Sequence, residues 1–239
     1  TGYDMGDVLL YVGENLSYDN EKIFVKSASE LTEYVGDPLS VVCAVNENAI
    51  TRPETHGIKD EEFIRGKAKE EVRTVSLSKL CLAQDSICYD VGAGTGSLSI
   101  EMALRAHQGK VWAIEKKEDA VELIRLNKAK FAADNLEIIE GLAPEALTEL
   151  PVPTHAFIGG SSGNLKEIVK LLIEKNPQVR IVINCITLET VSEALETAKE
   201  FGFEENEIVQ LGAARSKAIG RYHMMMGENP IYIITLQKK

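Results

Sequence analysis

The stretch Asp90-Val91-Gly92-Ala93-Gly94-Thr95-Gly96 has the residue types and spacing for chemistry done by the backbone. Glycines let a chain turn tightly and approach a ligand closely, and a helix that follows them presents unpaired N–H groups. About 20 residues after the last glycine stands Glu115, at the end of an apolar run, where a carboxylate can accept hydrogen bonds from the vicinal hydroxyls of a ribose. Together they imply a ligand that contains a nucleoside. Gly141, Leu142 and Ala143, after the next apolar run, form a third candidate element at the place where such folds meet an adenine; a short polar turn is the plainer reading.

These residues need a frame that brings strand ends and helix starts together. Strand-like runs at Ile87–Val91, Val111–Glu115, Leu136–Ile139, Ala156–Ile158 and Arg180–Cys185 alternate with helical stretches at Leu98–Ala106, Glu118–Phe131, Glu145–Glu149, Leu165–Glu174 and Leu188–Phe201. Such alternation implies right-handed crossovers and an open α/β fold, with a mainly parallel sheet covered on both faces. Two more runs, Glu207–Ala213 and Ile231–Leu236, lack a long helix between them, so a C-terminal antiparallel hairpin is expected to complete a seven-stranded sheet. Upstream, Ile64, Ala68, Val72 and Val75 recur at helical spacing and predict an amphipathic helix running from Asp60. The polar, aperiodic stretch Asn46–Lys59 holds Pro53 and Gly57, which places a domain boundary near residue 50 and gives units 1–50 and 51–239. Within the first unit, Val8–Val12 and Leu39–Val45 read as strands, with a brief helix at Ser29–Val35 between them.

The chain has 26 Lys and Arg against 37 Asp and Glu, a formal net charge of -11 over 239 residues. That balance repels phosphates, so general nucleic-acid binding is not expected. There is no apolar run long enough for a membrane span, and a cytoplasmic protein is expected. Cys43, Cys81, Cys88 and Cys185 lack paired spacing and neighbouring His residues; they read as reduced thiols rather than as disulfides or metal ligands. Thr1 in place of Met, with no targeting segment after it, suggests a chain cut from a longer one.

An anionic ligand would have to meet a local basic patch. Ile208–Gly227 contains no Asp or Glu and carries Arg215, Lys217, Arg221 and His223 around Gly212 and Gly220. It reads either as a solvated loop or as one whose cations take carboxylates. Gly159-Gly160-Ser161-Ser162-Gly163 lies at the carboxyl end of a strand, where open α/β sheets bind ligands; a turn capping the next helix through Ser162 or Asn164 is the alternative. Asn184 and Thr187 follow the fifth strand and could simply satisfy backbone groups there. His155 reads as structural, and Met224-Met225-Met226 as adaptable packing or oligomer surface.

The GxGxG spacing, with Asp90 two residues before the first glycine, resembles the nucleoside and methionine site of class I methyltransferases, whereas dinucleotide sites use GxGxxG. Beyond it, Lys69-Glu70-Glu71-Val72-Arg73, the run from Asp90 to Glu101, Phe157-Ile158-Gly159-Gly160-Ser161-Ser162-Gly163 and Asn229-Pro230-Ile231-Tyr232-Ile233-Ile234 resemble the decarboxylating precorrin carbon-15 methyltransferases, the CbiT-type family. A Thr often found before the Lys of the first stretch is Ala68 here. The resemblance implies a Rossmann-like class I fold and S-adenosyl-L-methionine as cofactor, held by Asp90, Gly92, Gly94, Thr95, Gly96, Glu115, Gly141, Leu142 and Ala143. It implies a tetrapyrrole substrate, a precorrin or cobalt-precorrin, met by Lys69, Gly159, Gly160, Ser161, Arg215, Lys217 and Arg221. The implied reaction is methylation at carbon 15 with loss of carbon dioxide from the carbon-12 acetate, in cobalamin biosynthesis, by a homo-oligomer, a tetramer. Val12-Gly13-Glu14-Asn15-Leu16-Ser17-Tyr18, followed by Glu21-Lys22-Ile23, resembles the closing part of a precorrin carbon-5 methyltransferase (CbiE-type), which some organisms fuse to the carbon-15 enzyme. Residues 1–50 would then be a remnant without activity of its own. Another class I methyltransferase, a nicotinamide oxidoreductase and a catalytically silent nucleotide-binding domain are the rival readings.

Overall fold

The structure is a computed structural model that describes residues 5–47, 56–65, 69–203 and 206–238. It divides into two compact units, Thr1–Glu54 and Thr55–Lys239. The first holds β1 (Leu9–Glu14), β2 (Lys22–Ser27) and β3 (Ser40–Val45), an antiparallel sheet in the order β2-β1-β3, with a short 3-10 turn at Ala28–Leu31 where a longer helix was expected. Buried Glu14 ties this sheet to its own loops, accepting from the Tyr34 hydroxyl at 2.9 Å and from the Asp37 N–H at 3.0 Å.

The second unit runs α1 (Glu70–Leu80), β4 (Ile87–Val91), α2 (Ser97–Arg105), β5 (Lys110–Glu115), α3 (Glu118–Lys130), β6 (Leu136–Glu140), β7 (His155–Ile158), α4 (Leu165–Lys175), β8 (Arg180–Cys185), α5 (Leu188–Glu200), β9 (Asn206–Leu211), β10 (Ala214–Ile219), β11 (Tyr222–Gly227) and β12 (Ile231–Leu236). Seven strands form one sheet in the order β6-β5-β4-β7-β8-β12-β9. The first five are parallel, and β12 runs antiparallel between β8 and β9. The expected open α/β sheet with an antiparallel C-terminal pair is therefore present.

Both faces of the sheet are covered, which is why its central strands are apolar throughout rather than alternating. On one face Tyr89, Val91, Trp112 and Ile114 pack with Leu165, Ile168 and Leu172 of α4 and with Ala194 and Ala198 of α5. On the other, Cys88, Val111 and Ala113 pack with Leu77 and Leu80 of α1, Ile100 and Met102 of α2, and Ile124 of α3. Asp90 shares the Cys88 face by strand alternation and is the charged residue inside the strand.

Two further expectations are corrected. The upstream helix begins at Glu70 rather than near Asp60; Ala68 lies outside the described residues, and Ile64 precedes the helix. The reason is competition for backbone groups: the Ile64 N–H donates to Asn127 Oδ1 at 2.8 Å, and the Arg73 guanidinium takes the Ile58 carbonyl, so this segment is pinned by side chains. The stretch read as a basic loop is instead the ribbon β10–β11, paired from Ala214↔Gly227 to Ile219↔Tyr222. Gly220, with φ of +59°, opens the tight turn that closes it.

Candidate active site

The strand order reverses at β4: the chain proceeds outward through β5 and β6, then returns to the other side of β4 as β7. Ligands in open α/β sheets sit in the crevice at such a point, beyond the carboxyl ends of the strands. Here the crevice is a cavity of about 750 Å³ in the second unit, within the range that small-molecule sites occupy.

Gly92 makes the crevice possible. At its φ of +75°, a Cβ would lie 2.7 Å from the Gly160 carbonyl oxygen and 2.9 Å from the Gly160 nitrogen, so only glycine lets the loop after β7 approach the loop after β4. The turn is then fixed from beneath. The Gly92 and Ala93 N–H groups both donate to the Ile114 carbonyl, at 2.9 and 3.1 Å, and buried Asn127 donates to the Thr95 carbonyl at 2.9 Å. Asp90, Gly92, Gly94 and Thr95 all line the cavity. Gly96 is not among its lining residues; it precedes α2 and packs against Ile124.

Glu115 ends β5 beside this turn. Its Oε2 accepts the Gly94 N–H at 2.8 Å, and its Oε1 accepts those of Lys116 and Lys117 at 2.9 and 3.0 Å. A carboxylate offers about four acceptor sites, so Glu115 keeps room for one more donor on Oε2. Gly141, Leu142 and Ala143 line the same cavity, with the Gly141 N–H on the Glu115 carbonyl at 3.0 Å and the Ala143 carbonyl accepting from Asn164 Nδ2 at 3.0 Å.

Asp90 is buried, its Oδ2 accepts from the Ser99 hydroxyl, and its Oδ1 has no hydrogen-bond partner among the described residues. Burial pushes its pKa up to about 7, the Glu115 charge adding to the rise while the Ser99 hydrogen bond opposes it. A folded-state pKa above the ordinary 3.8 means that the folded protein holds this proton more tightly, so the contribution of Asp90 to stability is fully present below 3.8 and is lost as pH rises through about 7. Asp90→Asn is therefore expected to flatten this decline, measured as Tm against pH, and a decline of unchanged steepness would contradict the assignment.

The loop after β7 supplies Gly159, Gly160 and Ser161 to the cavity, followed by Ser162, whose φ is +54°. Lys116 Nζ donates to Ser162 Oγ at 2.9 Å, joining this loop to the end of β5. Lys69, the residue before α1, also lines the cavity, with its ammonium 2.6 Å from Glu228.

Arg73 was not legible as a site residue, although it closes the stretch Lys69-Glu70-Glu71-Val72-Arg73. The Arg73 guanidinium is almost wholly buried, 2.5 Å from Glu101 and 2.9 Å from Asp60, with Phe63 stacked 4.7 Å away. A cation at the first turn of an amphipathic helix carries no sign of burial in sequence; the signal was Glu101, an acid on the buried face of α2. Asn184 and Ser76, hydrogen-bonded to one another, line the cavity as well, whereas Thr187 caps α5. Arg215, Lys217 and Arg221 do not line it. Arg215 pairs with Asp60 at 3.1 Å and Glu71 at 2.7 Å, and Arg221 stacks on Tyr222. His155 lies at the amino end of β7, away from the cavity; burial and Arg180 push its pKa down to about 4.

The profile of the precorrin methyltransferase domain matches residues 65–238. The chain belongs to the precorrin methyltransferase family. Among relatives, it is 41% identical over 187 residues to a protein of Pyrobaculum calidifontis named probable cobalt-precorrin-6B C(15)-methyltransferase (decarboxylating), covering 76% of this chain and 95% of the other. Among solved structures, a precorrin-6Y C5,15-methyltransferase from Geobacter metallireducens superposes with a TM-score of 0.72 at 38% identity, over 77% of this chain and 98% of that one. At 15% identity, an S-adenosylmethionine-dependent O-methyltransferase from Thermotoga maritima shares the fold, with a TM-score of 0.61 over 98% and 93% of the two chains. The precorrin methyltransferase domain is thus a class I methyltransferase fold, with its cavity at the strand-order reversal.

Proposed function

We propose that this chain methylates carbon 15 of a precorrin or cobalt-precorrin with S-adenosyl-L-methionine and removes carbon dioxide from the carbon-12 acetate. The observation that carries the reading is the single cavity into which the glycine turn, Glu115 and the Gly159–Ser161 loop all open. These residues suit the cofactor. The Oδ1 of Asp90 is left to accept a hydrogen bond, the open acceptor on Glu115 suits a ribose hydroxyl, and the Gly94 position leaves space above the turn. Leu142 and Ala143 would bound the adenine. When bound, the cofactor supplies an electrophilic methyl on a sulfonium.

The chain's own part is then positioning. Methyl transfer to an electron-rich carbon is governed by alignment and by exclusion of water, which the Gly159–Ser161 loop, drawn in against Gly92, is placed to provide. Lys69 lines the cavity with its ammonium on Glu228 and would share that charge with a substrate carboxylate. Lys217 and Arg221 extend this along the ribbon; among the described residues neither forms an ion pair, whereas Arg215 is already paired with Asp60 and Glu71. Lys217→Ala and Arg221→Ala should accordingly raise the KM for the tetrapyrrole more than Arg215→Ala, leaving S-adenosylhomocysteine affinity unchanged in each. Equal KM values for wild type and all three would remove the ribbon from substrate binding.

A homotetramer is the assembly this reading implies; the exposed Ile219, Tyr222, Met224 and Met226 share their face of the ribbon with Arg215 and Lys217, the face given above to substrate. No helix among the described residues is long and apolar enough to cross a membrane, and a cytoplasmic setting suits four free cysteines. Residues 1–50 fit the closing part of a carbon-5 methyltransferase: β3 is apolar at five of its six positions yet exposed along its length, as a sheet without its covering layer would be. The test of the reading is incubation with S-adenosylmethionine and the tetrapyrrole, in metal-free and cobalt forms, with product masses read. Gain of a methyl with loss of carbon dioxide supports it; an unchanged substrate mass overturns it.

A further inference from the structure

The two halves of the proposed reaction ask different things of the protein. A methyl acceptor must be aligned, whereas a carboxylate that leaves as carbon dioxide must surrender its negative charge. A cation in contact with that carboxylate would stabilise the starting state more than the transition state and slow the loss. One wall of the cavity suits the second demand. Val72 and Ser76 of α1, Phe157 of β7, Asn184 of β8, Ile186 after it and Ile231 of β12 line it without a charge. The cations that α1 and the residue before it bring to the cavity are matched: Lys69 by Glu228, and Arg73 by Glu101 and Asp60.

This wall also carries an oriented neutral donor. Asn184 lays its amide against Ser76 Oγ, with Nδ2 at 3.1 Å and Oδ1 at 3.2 Å; because the one hydroxyl hydrogen of Ser76 is engaged by the Val72 carbonyl at the shorter 2.8 Å, Nδ2 is the donor of this pair. One amide N–H of Asn184 is thereby fixed, and the other remains for a ligand.

We propose that this wall is the subsite for the acetate carboxylate that leaves, with Asn184 orienting it through a neutral hydrogen bond. The inference rests on the decarboxylating reading above. In the step, the bond between the acetate methylene and the carboxylate carbon breaks. Its electron pair enters the protonated imine conjugation of the macrocycle, carbon dioxide departs, and the methylene carbon takes a proton from water to become a methyl. One proton is consumed for each carbon dioxide released. The apolar wall favours this because charge spread over a macrocycle needs less solvation than a localised carboxylate. The Asn184 N–H restricts rotation about the bond that breaks.

Ile186 offers a clean test, since it lines the cavity yet is 64% exposed and tolerates a polar replacement. Wild type, Ile186→Lys and Ile186→Gln are each given S-adenosylmethionine and tetrapyrrole, and the products are weighed. Ile186→Lys should raise the share of product that is methylated but still carries its carboxylate by on the order of tenfold or more, and Ile186→Gln, which adds polarity without charge, should raise it by a clearly smaller factor. S-adenosylhomocysteine affinity should be equal in all three. Asn184→Ala should shift the products in the same direction. A wild-type product ratio in Ile186→Lys, or equal loss of both reactions, overturns the subsite. A wild type that carries out neither reaction overturns instead the functional reading beneath it.

Discussion

Gly94→Val is expected to reduce S-adenosylhomocysteine affinity by about a hundredfold or more while leaving the protein folded. Gly94 has a φ of +58°, and a Cβ built on it meets nothing within 4 Å, because the position faces the cavity. Two effects then act together. A β-branched side chain at positive φ costs roughly 1–3 kcal/mol of strain, which the turn relieves by moving away from Glu115. Its methyl groups also occupy the space above the turn where the ligand must lie. Gly92 would be a poorer choice for the experiment, since a Cβ there strikes the Gly160 backbone and threatens the sheet junction itself. Circular dichroism should retain the wild-type spectrum, and titration calorimetry should show the loss of binding. Wild-type affinity in a folded Gly94→Val protein would show that the ligand does not cross this turn.

Glu115→Ala should weaken S-adenosylhomocysteine by about 2–4 kcal/mol, the range for losing charge-assisted hydrogen bonds in a cleft. The side chain has two tasks, since it gathers the Gly94, Lys116 and Lys117 N–H groups and leaves one acceptor site facing the cavity. From sequence alone, Glu115→Gln looks like the mild substitution. The structure reverses that expectation: both oxygens face backbone donors, so an amide NH₂ would oppose an N–H at whichever end it is placed. Glu115→Gln should therefore lose nearly as much affinity as Glu115→Ala. Titration with a 2′,3′-dideoxy analogue separates the two tasks, because its disadvantage in wild type should shrink in Glu115→Ala. An equal disadvantage in both proteins would exclude a ribose contact at Glu115.

What could be read from the chain divides along physical lines. β4 and β8 have the boundaries expected from sequence, because a strand buried on both faces is an apolar run bounded by turn residues. The glycine turn was legible for a similar reason: backbone requirements at positive φ leave few residue choices. β10 and β11 were not, since Arg215, Lys217 and three consecutive methionines are poor strand formers whose pairing depends on each other rather than on a buried face. β2, with Lys22 and Lys26 at its ends, escaped in the same way. The start of α1 was misplaced because Asn127 and Arg73, distant in sequence, claim the backbone groups of residues 58–64. Candidate contacts at Gly141–Ala143 and Gly159–Ser161 were found from their place after strands, whereas Ser76 needed the fold, as a mid-helix serine facing β8 has no mark in sequence.

Everything proposed for this chain rests on the cavity above the glycine turn being a site for a sulfonium nucleoside. Titration calorimetry of the wild-type protein with S-adenosylhomocysteine and, separately, with NAD tests this most directly, because the two ligands share adenosine and differ in the pyrophosphate that a GxGxxG turn would cradle. The expected result is one S-adenosylhomocysteine bound per chain, its affinity lost in Gly94→Val, and no measurable heat from NAD. Binding of NAD at equal or greater affinity, or S-adenosylhomocysteine binding that Gly94→Val leaves intact, would contradict it.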